Sequence, residues 1–186
     1  LTMYQGLRAL LRMDPDILVV GEIRDKQSAV TAVRAAASGR LVFATIHAQN
    51  AAMAVDVAHD YAVPRQLLGS TLRVLTGQHL VQRLCPECFE RRPVRGDQRA
   101  FFEEAGMDIP EELPVPVGCE KCHDVGYMGL VAVFHVVIVD TALSEAICRG
   151  EQGASLEELV NRASIRSLRV DGLEKVKRGI TSLEQV

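Results

Sequence analysis

Apolar and polar positions follow two alternating patterns in the first half of the chain. Ile17–Val20 and Leu41–Ile46 are apolar at nearly every position, which is typical of strands buried on both faces of a parallel sheet. Segments of helical composition cover residues 7–13, 26–38, 51–61 and 64–78. Strands that alternate with such helices predict an α/β fold, a parallel sheet with helices on both faces.

The pattern changes between Cys85 and Cys122, where five of the seven prolines lie. Prolines cannot donate to a sheet, so this stretch is predicted to be an inserted module with little regular sheet and one helix over residues 98–105. Beyond it we expect a strand over residues 130–139 and three short helices. The chain therefore divides into three segments, residues 1–84, 85–122 and 123–186.

Four cysteines in the inserted module have the spacing of a metal site. Cys85 and Cys88 form one Cys-x-x-Cys pair, and Cys119 and Cys122 form a second after thirty intervening residues. Two such pairs supply the four thiolates of a closed, tetrahedral structural zinc site. The alternatives are four unligated cysteines, a redox dithiol, or a site in which His123 replaces one thiolate.

Charge narrows the class of partner. The chain has a net charge of -3 and a pI near 6.0, and residues 85–122 contain five Lys or Arg against nine Asp or Glu. A zinc module that reads nucleic acid is expected to be basic, so we expect protein or small-molecule partners and no nucleic acid. The cysteine pattern favours a reducing cytosol, and no apolar run approaches the length needed to cross a bilayer.

Polar residues follow both predicted strands where they leave the sheet. Gly21 and Glu22 come directly after the first strand, and Thr45 and His47 end the second. Open α/β sheets bind ligands at the carboxyl ends of their strands, and a carboxylate there can organise Mg²⁺ or activate a water for attack on a γ-phosphate. Alternatively, Glu22 caps the next helix and His47 only satisfies a backbone carbonyl.

Several longer motifs resemble one family, the secretion ATPases of type II secretion and type IV pilus assembly. Residues 8–25 resemble its Walker B segment and residues 41–51 its histidine box. Residues 126–129, 168–173 and 181–184 are similar to its C-terminal pattern. The resemblance implies a RecA-like P-loop NTPase core, here partial, in a cytoplasmic ring of six subunits on an inner-membrane platform of a bacterium.

The resemblance also implies roles for individual residues. Glu22 matches the catalytic glutamate of Walker B and His47 the histidine that senses the γ-phosphate, with Gly21 and Thr45 beside them as nucleotide-binding positions. ATP and Mg²⁺ are then the substrate and cofactor of the whole protein. The four cysteines resemble those of the assembly and secretion branch, in which hydrolysis drives extension of a pilus or pseudopilus.

The sequence departs from the family pattern in three ways. No Gly-x-x-x-x-Gly-Lys-Ser/Thr phosphate loop is present, and the chain has no initiator Met. Arg40 stands where the family often has histidine, and Leu130 and His135 stand where it tends to have arginine and an acidic residue. We therefore expect a C-terminal part of the motor that is inactive alone. The alternative is a non-catalytic zinc-containing module that docks on a platform protein.

Overall fold

A computed structural model describes residues 2–186 of the chain as two compact units. The first unit comprises residues up to Leu75 together with Val137–Ser164, and the second comprises Thr76–Val136 and Ile165–Val186. The division into residues 1–84, 85–122 and 123–186 remains a prediction. The helices are α1 (Met3–Leu11), α2 (Lys26–Ala37), α3 (Ala51–Asp60), α4 (Arg65–Thr71), α5 (Gly96–Glu104), α6 (Thr141–Arg149), α7 (Ala154–Arg162) and α8 (Leu168–Lys177). The strands are β1 (Ile17–Val20), β2 (Leu41–Ala44), β3 (Val74–Leu84), β4 (Glu90–Pro93), β5 (Glu112–Val115), β6 (Tyr127–Ile138) and β7 (Ser164–Arg166).

The first unit contains a parallel pair of strands, β1 and β2, whose inner face packs on its core. Ile17 lies opposite Leu41 and Val20 opposite Ala44, so the two strands end side by side. The inner face of β1 is buried at Leu18 and Val20, and alternate side chains of a strand must point the other way. The core under this face also includes residues from six helices, namely Leu7, Ala29, Ala32, Val55, Leu68, Leu143, Ile147, Leu156 and Val160.

The outer face of the same strand pair is apolar and exposed. Ile17, Val19, Leu41 and Phe43 have relative exposures of 58%, 74%, 52% and 56%. Burial on both faces of these strands was the expectation from sequence. It is wrong for residues 2–186, because the helices that these residues supply pack on the inner face only.

Side-chain caps begin the helices that follow each strand. The Asp25 carboxylate accepts a hydrogen bond of 2.9 Å from the Ser28 amide at the start of α2, and the Asn50 side chain accepts one of 2.8 Å from the Met53 amide at the start of α3. Such caps satisfy amides that have no partner inside the helix. They also fix the loops that leave the carboxyl ends of β1 and β2.

Two features beyond Pro64 differ from the sequence expectation. The helix predicted over residues 64–78 ends at Thr71, because Leu72 adopts an extended conformation with ψ of 131°, and a long strand, β3, starts at Val74. The inserted module contains an antiparallel pair, β4 and β5, in addition to α5. Strand β3 lies in a three-stranded sheet of order β3-β6-β7. Phe102 of α5, Leu113 of β5 and Leu173 and Val176 of α8 form a core beside the pair.

A buried carboxylate holds part of the second unit together. Asp171 is 1% exposed and accepts hydrogen bonds from the Phe134 amide at 2.8 Å and from Arg166 Nη1 at 2.7 Å. Lys175, one helical turn later, forms an ion pair with the same side chain. Burial opposes ionisation, but the hydrogen bonds from Lys175 and Phe134 and the nearby positive charges outweigh it and hold the pKa of Asp171 below its usual range.

Candidate active site and metal centre

The polar residues at the ends of β1 and β2 converge. The Thr45 hydroxyl donates to the Gly21 carbonyl at 2.5 Å, and the Ile23 amide donates to the Thr45 carbonyl at 2.9 Å. These bonds continue the pairing of the two strands past their last residues, since Val20 and Ala44 are already in register. The backbone therefore brings Glu22 and His47 to the same edge of the sheet, where α/β proteins bind ligands.

Glu22 and His47 are in direct contact at this edge. His47 Nε2 lies 2.8 Å from Glu22 Oε1, and Arg24 forms an ion pair with the other carboxylate oxygen. The Glu22 side chain is 21% exposed, whereas the His47 side chain is 90% exposed. Sequence reasoning missed Arg24, although a charge two residues from a strand-end carboxylate is a signal that could have found it.

The surroundings of Glu22 keep its carboxyl group ionised. The hydrogen bond from Arg24 is the main cause of a lowered pKa for Glu22; desolvation opposes it, and the charges of Arg24 and His47 add to the lowering. An ionised carboxylate can accept a proton or orient a water molecule. The alternative that Glu22 caps the following helix does not fit the geometry, because Asp25 makes that cap. The alternative for His47 was a hydrogen bond to a backbone carbonyl, but its Nε2 atom contacts the Glu22 carboxylate instead.

The four cysteines of the second unit form one cluster. Their sulfur atoms all lie within 4.8 Å of one another, and the pairs Cys85–Cys119, Cys88–Cys122 and Cys119–Cys122 are separated by 3.9, 3.8 and 3.8 Å. Four sulfurs at about 2.3 Å from a central ion form a tetrahedron with edges of about 3.8 Å. The donor set and its spacing therefore fit a tetrahedral metal ion.

Backbone amides favour the thiolate form of Cys122, whereas burial raises the pKa of Cys88 to about 12. Burial of Cys122 opposes ionisation, but amide hydrogen bonds of 3.2 Å from Gly126 and from Cys119 lower its pKa to about 7. All five cysteines are free of disulfides. His123 is exposed and has a left-handed backbone with φ of 53°, and it is not one of the four clustered groups.

Comparison with known proteins places the chain. A family model described as "Type II/IV secretion system protein" matches residues 1–186. The chain belongs to this family. It is 40% identical over 188 residues to the type II secretion system protein E of Aeromonas hydrophila, and 41% identical over 186 residues to the type II secretion system ATPase E of Vibrio cholerae. It is 35% identical over 182 residues to the type IV pilus assembly ATPase TfpB of Acinetobacter baylyi.

These relatives are much longer than the chain. The first two comparisons cover all of this chain and the third covers 97% of it. The chain spans only 37%, 37% and 31% of the lengths of these relatives. Its fold is similar to that of the Legionella pneumophila ATPase DotB, with a TM-score of 0.65 and 18% identity over 99% of this chain and 41% of that one. No helix within residues 2–186 is long and apolar enough to cross a membrane.

Proposed function

We propose that the chain is the C-terminal part of a hexameric motor ATPase that powers type II protein secretion or type IV pilus assembly from the cytoplasmic side of the inner membrane. The contact between Glu22 and His47 carries this proposal, because it joins the carboxyl ends of neighbouring parallel strands. Membership of the secretion system family supports the same assignment along the whole chain.

The proposed chemistry divides between the residues at the strand ends. Glu22, ionised and held by Arg24, orients the water that attacks the γ-phosphate of ATP and faces the Mg²⁺ that the nucleotide brings. His47 is exposed and contacts Glu22 directly, so it can link the state of the γ-phosphate to that carboxylate. Gly21 and Thr45 shape the nucleotide side of the site through the hydrogen bond between them.

Two observations support the proposal that the chain is one part of a RecA-like core. The sequence contains no phosphate loop, the motif that cradles nucleotide phosphates with backbone amides and a lysine. The exposed apolar face of β1 and β2 has the composition of a core face, and we infer that preceding polypeptide of the whole protein covers it. On this proposal the chain alone does not hydrolyse ATP.

The metal at the cysteine cluster is proposed to be a structural zinc ion. Four thiolates from two Cys-x-x-Cys pairs are the preferred ligands of Zn²⁺, and a site with four protein ligands has no open position for catalysis. The sulfur separations of 3.8 to 3.9 Å support this choice. Zinc would then stabilise the module, not take part in ATP hydrolysis.

The proposal is tested by replacing Glu22 with Gln in the full-length protein. Because the amide keeps the shape of the side chain and loses its charge, turnover should fall by at least about 100-fold, while ATP binding is retained. Turnover and equilibrium binding of a fluorescent ATP analogue are measured on the same preparation. Glu158→Gln, on the exposed face of α7, is the matched control, and unimpaired turnover in Glu22→Gln would remove Glu22 from the catalytic role.

A second candidate function is a non-catalytic interaction module, which the missing phosphate loop favours. In that case the zinc-containing module and the C-terminal helices dock on an inner-membrane platform protein. The discriminating measurement is ATP binding by the natural protein with any polypeptide that precedes Leu1. Absence of binding, together with tight binding to a platform domain, would support the interaction module over the motor.

A further inference from the structure

A cleft in the first unit, between α1 and α2, is lined by four arginines. Its volume is about 580 Å³, and its walls include Arg8, Arg12, Arg34 and Arg40 with Tyr4 at one side. Arg8 donates to the Tyr4 hydroxyl at 3.3 Å and lies over the Tyr4 ring. The concentration of positive charge contrasts with the chain as a whole, which has a net charge of -3.

Most of this charge is not neutralised locally. Arg40 pairs with Asp14 at 2.6 Å, whereas Arg8, Arg12 and Arg34 form no salt bridge with any part of residues 2–186. Three guanidinium groups around one cleft repel each other unless an anion lies between them. The charge of the cleft therefore favours an anionic ligand.

The position of the cleft in the fold argues for a protein ligand. Arg12 and Arg40 come before β1 and β2 in the chain, so they lie at the amino ends of the strands, whereas Glu22 and His47 follow the carboxyl ends. Arg8 and Arg34 stand in the last turns of α1 and α2, so neither helix directs its N-terminal amides into the cleft. Guanidinium forks match both phosphates and carboxylates, but phosphate sites in α/β proteins usually add such amides, so the cleft favours the carboxylates of Asp and Glu.

We propose that this arginine cleft binds carboxylates from a second copy of the protein in a head-to-tail contact. The complementary surface is the acidic segment 103–112, which ends α5 and leads into β5. Its residues Glu103, Asp108, Glu111 and Glu112 are exposed and form no salt bridge within residues 2–186. Contacts between two different surfaces of identical subunits generate rings or filaments, so this inference rests on the homo-oligomer in the proposed function and deepens it.

The test is self-association of the nucleotide-free protein, measured by sedimentation equilibrium at low and high salt. Association should weaken with salt, and both Arg12→Glu/Arg34→Glu and Glu111→Arg/Glu112→Arg should weaken it by at least about tenfold, because each creates like-charge contacts. Mixing the two variants restores opposite charges at both contacts and should restore association. Arg83→Glu/Arg162→Glu makes the same change in net charge at exposed arginines outside the cleft and should associate like the original protein.

Circular dichroism melts establish that each variant is folded before association is compared. Equal association of the cleft variant and the control, or a mixture no stronger than its components, would overturn the proposal. Micromolar binding of inorganic phosphate that is lost in Arg12→Glu/Arg34→Glu would overturn it in favour of a small-anion site. No nucleotide is present, so failure here is distinct from failure of the Glu22→Gln test of the motor.

Discussion

The two units of this protein differ in how completely each closes its core and its site. In the second unit, four cysteines lie within 4.8 Å of one another and Asp171 has a partner for each carboxylate oxygen. In the first unit, Glu22 and His47 meet at the edge of only two strands, and the outer face of those strands is exposed. The difference teaches that one chain can contain a full set of four candidate metal ligands and also a sheet with an exposed apolar face.

Each unit is therefore stabilised by a different kind of interaction. The second unit has a small apolar core, centred on Phe102, Leu113, Leu173 and Val176, so we expect the proposed metal and the ion pairs of buried Asp171 to contribute much of its stability. The first unit has a larger apolar core. The side chains of Ile17, Val19, Leu41 and Phe43 nevertheless remain exposed to solvent. The following predictions test this contrast, from the largest expected effect to the smallest.

Loss of a cysteine ligand should have the largest effect. Cys119→Ser removes one of four thiolates, and since structural zinc contributes on the order of 10 kcal/mol of binding free energy to folding, the module should lose its metal and its stable structure. Metal analysis and hydrogen exchange over residues 85–122 measure both. Cys148→Ser, at the cysteine outside the cluster, is the control. Full metal content in Cys119→Ser would show that the cluster does not bind as proposed.

Replacement of the buried carboxylate should follow in size. Asp171→Asn leaves Arg166 and Lys175 without their shared partner, and the free energy of unfolding should fall by about 3 kcal/mol. Asp108→Asn, exposed in the same unit, should change it little. Because the pKa of Asp171 is lowered in the folded state, its stabilisation is present above the ordinary carboxyl pKa, about 4, and is lost as pH falls further. An unchanged acid-unfolding profile in Asp171→Asn would contradict this.

A charge on the outer face of β1 and β2 should affect the stability of this chain and of the full-length protein differently. Val19→Lys should leave the unfolding free energy of the 186-residue chain nearly unchanged, because Val19 is 74% exposed. In the full-length protein it should cost at least about 2 kcal/mol, since a buried charge needs a partner. Leu18→Lys, on the buried face, should destabilise both. Equal tolerance of Val19→Lys in both proteins would show that nothing covers this face.

The smallest effect is expected from one hydroxyl of the second unit. The Tyr127 hydroxyl lies 2.7 Å from Ser182 Oγ, and Tyr127→Phe should lower the free energy of unfolding by about 1 kcal/mol. Ser182→Ala removes the other partner, so the double variant should cost less than the sum of the two single variants. Additive losses would mean that the two hydroxyls do not interact.

Local pattern was sufficient for much of the fold. Of the first five helices and strands, β1, α2, β2 and α3 lie within the predicted segments, whereas α1 begins at Met3, before the predicted segment 7–13. The pattern failed after Pro64, where a helix over residues 64–78 was expected and a strand begins at Val74. Val74 and Leu75 fit a helix or a strand equally well, and the pairing with β6 decides between them. The short strand β7 has no sequence signal of its own.

The candidate sites were predictable to different degrees. Two Cys-x-x-Cys pairs predicted a cluster that the structure contains, because each pair brings two sulfurs together through one local turn. The roles of Glu22, His47, Gly21 and Thr45 remain predictions, although the structure brings all four to one sheet edge. The sequence did not reveal the roles of Arg24 and Asp171, because their contacts with Glu22 and with the Phe134 amide depend on the three-dimensional structure.

The sequence by itself determined the family, the cysteine ligands and the strand ends where polar residues stand, since each depends on residues close together in the chain or on motif spacing. Only the tertiary structure decided that Asp171 is buried against Phe134, that four arginines share a cleft, and that one face of β1 and β2 stays exposed. These features join residues far apart in the chain. Their energies depend on burial and partners, which local sequence patterns do not specify.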